Sequence, residues 1–507
     1  MSEAQAAAPP DWQRLSRRML LVHPIQEIPR ALPALLAVLV AGSRSGNGQL
    51  WALVGVGFTV GLGLMRWFTT RYRVTEDRVE VRQGLFRRRL LAVSRDRLRT
   101  VDVTAHAFHR LLGLARVSIG TGRSDRERGG EVRLDGLTAA VAAQLRDELL
   151  HEGRAPITAA PAAETLPETE IVRLDSRWIR YAPFTLSGIV AVGVVVGFGA
   201  NFANEAHLDP SDYGVLRDAI DQLRDLPLAL AVGVVLVAAV AVVALASTIG
   251  YILAFWDFRL TRNPRGTLHV MRGLITTRAT TIEERRLHGV EVSEPLLLRA
   301  VGGARAIAIA TGLRVGRGAE RGGSLLLPPA PASEAQRVAA AIVQTPDPVA
   351  CPLTAHGPRA RRRRYTRTLA GWAVLVVVLL AACALFDWPA WIWQTAIALV
   401  VPALALAEDR YRSLGHALAG ARLVTRLGSL VRRRSILASE GIIGWNIEQT
   451  FFQRRAGLAT LTATTAAGHQ HYDIEDVELG EALRFAEAVR PGLLTPFLEP
   501  PAAPRAK

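Results

Sequence analysis

The chain has 507 residues, half of them hydrophobic, and a mean hydropathy of +0.20, which excludes an ordinary soluble protein. A net charge of +16 with a pI near 11 narrows the partners to nucleic acid, anionic lipid or a cytoplasmic face obeying the positive-inside rule, and embedded apolar segments favour the last two. Cys351 and Cys383 stand alone, without ligand spacing, so neither a disulfide framework nor a zinc site is supported and both read as reduced thiols.

At the N-terminus, Arg17 and Arg18 are followed by His23, Pro24, Gln26, Glu27 and Arg30, which interrupt the apolar run a cleaved signal requires. A helix needs about 20 apolar residues to cross the hydrocarbon. Five stretches meet or approach that length, at 50–67, 181–202, 226–255, 368–385 and 388–407. A sixth, at 25–42, is shorter, and its assignment as a span rests on the two-span pattern of the later copies. The loop between the third and fourth spans carries Glu205, Asp209, Asp212, Asp218, Asp221 and Asp225 against Arg217 and Arg224, while the turn from Asp387 to Pro389 has no cation. Arginines crowd the segments outside the hairpins, so both termini and the long segments are expected in the cytoplasm. Trp51, Trp67, Trp256, Trp388, Trp391 and Trp393 lie near predicted span ends, as interfacial anchors do, and Gly57/Gly61 and Gly193/Gly197 form small-xxx-small steps within spans.

After each apolar stretch a soluble unit repeats. Gly84, Gly273 and Gly428 each lie 29 residues before Gly113, Gly302 and Gly457, and the intervening registers align without a gap. Arginines recur after the first glycine (Arg89, Arg278, Arg433) and before the second (Arg110, Arg299, Arg454), with an alanine beyond it (Ala115, Ala304, Ala459). Alternating apolar residues predict strands, in copy one through Val79, Val81, Leu91, Val93, Val101 and Val103, then 116–120 and 132–134. Gly84 supplies the backbone freedom of a tight hairpin. Residues 105–112 read as a helical or irregular crossover, and helices are expected at 138–151, 333–344 and about 478–489.

The expected fold class is therefore an α+β membrane protein. It has six transmembrane helices as three hairpins, each followed by a β-sandwich or roll with a C-terminal helix. The predicted order is a cytoplasmic N-terminus (1–24), hairpin one (25–68), module one (69–153), a linker (154–178), hairpin two (179–256), module two (257–345), a basic linker (346–366), hairpin three (367–408), module three (409–492) and a disordered tail (493–507).

The run Thr75-Glu76-Asp77-Arg78-Val79, then Arg82-Gln83-Gly84-Leu85-Phe86 and Arg110-Leu111-Leu112-Gly113-Leu114-Ala115, resembles the bacterial pleckstrin-homology-like domain found behind transmembrane hairpins. Copy three adds Gln449 before Arg454 and Gly457-Leu458-Ala459. Copy two departs from the pattern through Asn263-Pro264-Arg265-Gly266 and Gly303. The resemblance implies a PH-like fold in the cytoplasmic membrane and a setting in envelope homeostasis or defence against membrane-active peptides. It does not imply phosphoinositide binding, since a fold does not fix a function.

Candidate lipid-facing cations are Arg71, Arg73, Arg87, Arg88, Arg89, Arg361, Arg362, Arg363, Arg364, Arg432, Arg433 and Arg434, which either hold the modules on an anionic leaflet or only set topology. The repeated Gly84, Gly113, Arg110, Gly273, Gly302, Arg299, Gly428, Gly457 and Arg454 read as structural, the arginines pairing with a carboxylate or carbonyl inside their own module. His469 and His471, beside Asp473, Glu475 and Asp476, are weak metal candidates, and His106 and His109 share a helical face. No Walker loop, nucleophile elbow or HExxH helix is present, so no catalytic residue, cofactor or nucleic-acid partner is expected. The reading is a non-enzymatic inner-membrane protein whose partners are anionic phospholipid and either a shorter single-module relative or another copy of itself. A six-span transporter or channel component is the alternative, disfavoured by spans nearly free of ionisable residues.

Overall fold

The computed structural model describes residues 12–16, 18–19, 68–75, 78–83, 89–94, 100–120, 131–151, 168–185, 187–205, 214–264, 266–313, 324–386 and 388–497, with isolated positions 54, 57, 61 and 65. The expected span at 25–42, most of that at 50–67, Gly84, Arg87, Arg88 and the tail beyond 497 lie outside them. The chain divides into two units, residues 1–282 and 283–507.

In the first unit, β1 (Gln13–Arg14), β2 (Arg71–Val74), β3 (Arg78–Gln83) and β4 (Arg89–Ser94) form an antiparallel sheet in that order. The alternation in β3 puts Val79 and Val81 on one face, opposite Val93 and Leu91 of β4. That face meets β5 (Thr100–Ala105), β6 (Leu114–Gly120) and β7 (Glu131–Thr138), so Val79, Val81, Val101, Val117, Ile119 and Leu134 are buried in one core. Each such side chain contributes about 1.5–3 kcal/mol. Helix α1 (Ala107–Leu111) is the predicted crossover, and Gly113 follows it at φ +67°, the left-handed geometry that ends a helix. Helix α2 (Ala139–His151) closes the core through Ala142 and Leu145.

The chain continues through β8 (Thr169–Arg173), a 3₁₀ helix (Ser176–Phe184), α3 (Ser187–Glu205), α4 (Gly214–Arg224) and α5 (Leu228–Phe255). It then forms β9 (Arg259–Asn263), β10 (Thr267–Arg272) and β11 (Thr277–Glu283). These strands do not make a sheet of their own. They join module one in a seven-stranded sheet of order β7-β6-β5-β11-β10-β9-β8.

The second unit repeats this design. Its first strands are β12 (Leu287–Pro295), β13 (Gly303–Ala310) and β14 (Leu325–Pro331), with α6 (Leu296–Ala300) after β12 and α7 (Ala332–Val343) after β14. Helices α8 (Asp347–Ala350), α9 (Gly357–Phe386), α10 (Trp391–Ala398) and α11 (Val400–Arg412) lead to β15 (Gly415–Ala419), β16 (Arg422–Leu427) and β17 (Val431–Ala438). Again the sheet crosses modules, in the order β14-β13-β12-β17-β16-β15. The last sheet is β18 (Ile442–Glu448), β19 (Leu458–Thr465) and β20 (His471–Glu478), with α12 (Phe451–Ala456) and α13 (Leu479–Val489). Thr450 and Gln453 form a reciprocal capping box that starts α12, and Gly457 ends it at φ +68°.

Three helical segments among the described residues are long and apolar enough to span a bilayer: Leu228–Phe255, Gly357–Phe386 and Trp391–Arg412. The last breaks at Leu399, because Pro402 has no N–H to offer the preceding turn. Three details differ from the sequence reading. Residues 181–183 belong to the 3₁₀ helix, where Trp178, Tyr181 and Ala182 are buried, and α3 starts only at Ser187. A side chain added at Gly57, Gly61, Gly193 or Gly197 would meet nothing within 4 Å, so none of the described helices packs on those steps; a close approach among the described residues is at Gly188, where a Cβ would lie 1.9 Å from Ser247 Oγ of α5. Finally, the N-terminal segment and the two expected linkers carry structure: 1–24 supplies β1, the linker at 154–178 supplies β8, and that at 346–366 supplies α8, a bridge from Thr354 to His416 and the first turns of α9. Leu494, in the expected tail, packs on the module-three core.

Candidate interaction interface

Two edge-to-edge joints tie successive modules together, and they share one register. In the first, Val101 faces Thr281 and Val103 faces Ala279. In the second, Val290 faces Ile436 and Val292 faces Arg434. Carried through the repeat, these are the same positions: Val101 and Val103 align with Val290 and Val292, and Thr281 and Ala279 with Ile436 and Arg434. Pairing satisfies the edge N–H and C=O groups that would otherwise face water. At the second joint the backbones approach so closely that a Cβ on Gly289 would lie 1.9 Å from the Ile436 carbonyl oxygen. Gly289→Val should therefore loosen the joint by roughly 1–3 kcal/mol, seen as faster amide exchange in both β12 and β17.

The repeated arginines clamp these joints, reaching into the following module rather than their own. Arg110 Nη1 donates to the Leu274 carbonyl at 2.6 Å, just after Gly273. Arg299 Nη2 donates to Asp409 Oδ2 at 2.9 Å, and the same oxygen accepts from Ser429 Oγ at 2.6 Å, just after Gly428. Gly273 and Gly428 sit at φ +107° and +93°, where a Cβ would be 2.1 Å from the carbonyl closing the hairpin. His106 supports the first joint through Nδ1, 3.0 Å from Thr276 Oγ1. A cleft of about 320 Å³ runs along this joint, lined mainly by Val103, Arg110, Ala139, Thr277 and Ala279.

Most of the lipid-facing candidates are engaged within the protein. Arg73 pairs with Glu80 at 2.6 Å and stacks over Trp12. Arg361 bonds Glu408 at 3.1 Å. Arg432 reaches Asp409, Arg433 lies 3.7 Å from Glu291, and Arg434 donates to the carbonyls of Pro348 and Cys351. Arg71 and Arg362 are exposed, and Arg89 lies in β4.

Arg363 and Arg364 point into module three and meet the buried Asp476 and the half-buried Glu475. Arg363 pairs with Asp476, whose side chain is 0% exposed; Arg364 pairs with Glu475 and lies 2.8 Å from Asp476 Oδ2. Gln453 Nε2 also donates to Asp476, at 3.0 Å. Asp476 holds φ +59°, a conformation that Asp and Asn tolerate better than other side chains. Beside this knot, His356 Nδ1 lies 2.7 Å from the Glu475 carbonyl oxygen, and His416 Nδ1 lies 3.0 Å from His356 Nε2. A carbonyl can only accept, so His356 carries its proton on Nδ1 and accepts at Nε2 from His416 Nδ1–H. Burial, aided by His416, pushes His356 down to about 4, and burial does the same to His416. The sequence reading missed this pair, since residues 60 apart carry no local signal.

His469 lies 3.7 Å from Glu291, and burial lowers its pKa. Among the described residues no three His, Cys, Asp or Glu side chains are grouped to hold a metal.

Tandem β-rich modules behind membrane helices, joined edge to edge, define a multi-module membrane protein. The chain belongs to the bacterial PH domain family, whose model matches at residues 27–153, 223–344 and 368–492. It is similar to the UPF0699 transmembrane protein YdbT of Bacillus subtilis (strain 168), at 21% identity over 435 residues that cover 83% of this chain and 85% of that protein. No solved structure matches it.

Proposed function

We propose that the protein is a non-enzymatic scaffold of the inner membrane, anchored by six spans in three hairpins, whose cytoplasmic modules bind one another, other proteins and the anionic leaflet. The observation that carries this reading is strand pairing across each apolar stretch. Gln13 before the first stretch pairs with Tyr72 after it, Val172 pairs with Leu260 across the second, and Thr354 bridges His416 across the third. A chain that leaves a sheet, enters lipid and returns to the same sheet has crossed an even number of times. The acidic residues between the spans of hairpin two and the arginines outside the hairpins favour the cytoplasm for the modules.

Contact with the leaflet is supported by exposed apolar side chains near the feet of the hairpins. Leu274 and Ile275 are 37% and 51% exposed, on a turn whose Gly273 and Leu274 N–H groups bond back to Trp256 and Leu253 at the end of α5. Exposed apolar residues of this kind enter the headgroup region of a bilayer. Envelope homeostasis or resistance to membrane-active peptides is the setting that the family likeness suggests.

Cysteine labelling in a chain lacking Cys351 and Cys383 tests the reading. Asp221→Cys should react with an impermeant maleimide from outside in intact cells. Arg71→Cys, Thr169→Cys and Glu440→Cys should react only after permeabilisation, and outside labelling at any of these three would overturn the sidedness.

A further inference from the structure

We propose that the protein assembles head to tail with further copies of itself through β18 of one copy and β4 of the next. The joint would be the same one that links its modules internally. In the repeat, each module offers two edges. The strand after the first glycine (β11, β17) takes the preceding module, and the next strand (β5, β12) takes the following one. Three modules use this joint twice, leaving β4 at one end of the series and β18 at the other. Both are edge strands in the observed sheets.

The β18 edge is built like its paired counterpart. Gly444 aligns with Gly289, and both sit at the same bulge, after Ile442 and after Leu287. Gly289 is needed because the Ile436 backbone presses on it; at Gly444 the nearest atom to an added Cβ is Thr464 Oγ1, at 3.0 Å. The close-approach glycine is thus present where none of the described strands approaches. Gly289 to Ser293 of β12 are all buried, whereas Ile443 to Glu448 of β18 are exposed or half-buried. The clamp is present too: Arg454, the counterpart of Arg110 and Arg299, is exposed, and its guanidinium bonds no partner among the described residues.

Continuing the shared register places Trp445 opposite Ala92, Ile447 opposite Leu90, and Glu448 opposite Arg89 of the second copy. Leu90 is 60% exposed, and the Glu448–Arg89 position pairs opposite charges. A second copy is the occupant because β4 of this chain is an unused donor of the type that β11 and β17 provide. A joint between unlike edges repeats from copy to copy, giving rings or open rows in the membrane plane.

The proposal rests on the reading that all modules lie on one membrane face. Its test uses the full chain, without Cys351 and Cys383, in native membranes. One tagged copy carries Ile447→Cys, a differently tagged copy carries Leu90→Cys, and copper phenanthroline is the oxidant. A disulfide-linked pair of the two tags is expected. Its yield should fall at least tenfold with Gly444→Val or, without touching the core, with the surface change Arg454→Glu. Glu448→Arg should lower the yield similarly, and Arg89→Glu in the other copy should restore it. The proposal is overturned if no pair forms, if Ile443→Cys crosslinks to Leu90→Cys as well as Ile447→Cys does, if a chain carrying both cysteines links only to itself, or if Arg454→Glu changes nothing. Maleimide labelling of the same two cysteines separates the failures. A missing crosslink with both sites on one face removes the joint alone, whereas labelling from opposite faces removes the sidedness reading and this proposal with it.

Discussion

Asp476→Asn should destabilise module three by about 3–5 kcal/mol, the largest loss expected from a single isosteric change in this chain. Asparagine keeps the size of the side chain, tolerates φ +59° and retains an oxygen for Gln453, so the change removes the charge and the acceptor that faces Arg364 while leaving the packing in place. What it leaves behind is costly. Arg363 and Arg364 are 15% and 9% exposed, and both lose their buried anion. Glu475, at 35% exposure, compensates Arg364 from the rim only. Glu475→Gln should accordingly cost no more than about 1 kcal/mol. Amide exchange across β19 and β20 in lipid nanodiscs measures both, and equal losses would show that burial of the acid is not what anchors α9 to the module. Because these arginines stand at the start of α9, a helix long and apolar enough to cross a bilayer, the same knot couples the fold of module three to the placement of that helix.

Acidification from pH 6.5 to 4 should open the same module through His356 and His416. Their folded pKa values, about 4, lie below the ordinary histidine value of 6.5, so the unfolded chain takes up protons first and acid favours unfolding. Stability is full above about pH 6.5, declines through the window and has lost the whole contribution below about 4. A depression of this size corresponds to on the order of 3 kcal/mol for the first proton, and the two rings titrate as a pair. The groups facing them are Glu475 and Asp476 from β20, Glu481 from α13, 3.4 Å from His416 Nε2, and the Phe485 ring. The Glu475 backbone carbonyl and the Glu481 and Asp476 carboxylates lessen the depression of His356 without overcoming burial. His416→Leu should flatten the pH profile of exchange between 4 and 6.5; an unchanged profile would assign the acid response elsewhere.

Much of the local design was legible in the amino-acid pattern. The two-residue alternation of Val79 and Val81 gave β3, the glycine ruler gave the hairpins at Gly273 and Gly428, and the spacing of Leu145 gave the closing helix of module one. Strand pairing beyond a hairpin was not legible, because any edge of suitable length satisfies its neighbour's N–H and C=O groups and the sequence records no preference between them. Hence Arg110 and Arg299, read as bonding within their own modules, reach the next one instead. The arginine run at 361–364 likewise reads as uniform, yet helical geometry turns Arg363 and Arg364 toward the acids of β20 and leaves Arg362 exposed.

By itself, the sequence determined the threefold repeat, the apolar helices and the order of elements, because hydrophobic period and glycine position act over a few residues. Only the tertiary structure decided that modules share sheets, that segments before each apolar stretch pair with those after it, and that two histidines 60 residues apart touch. Those contacts depend on which edges and charges meet when the chain closes long loops, and no local pattern encodes that choice.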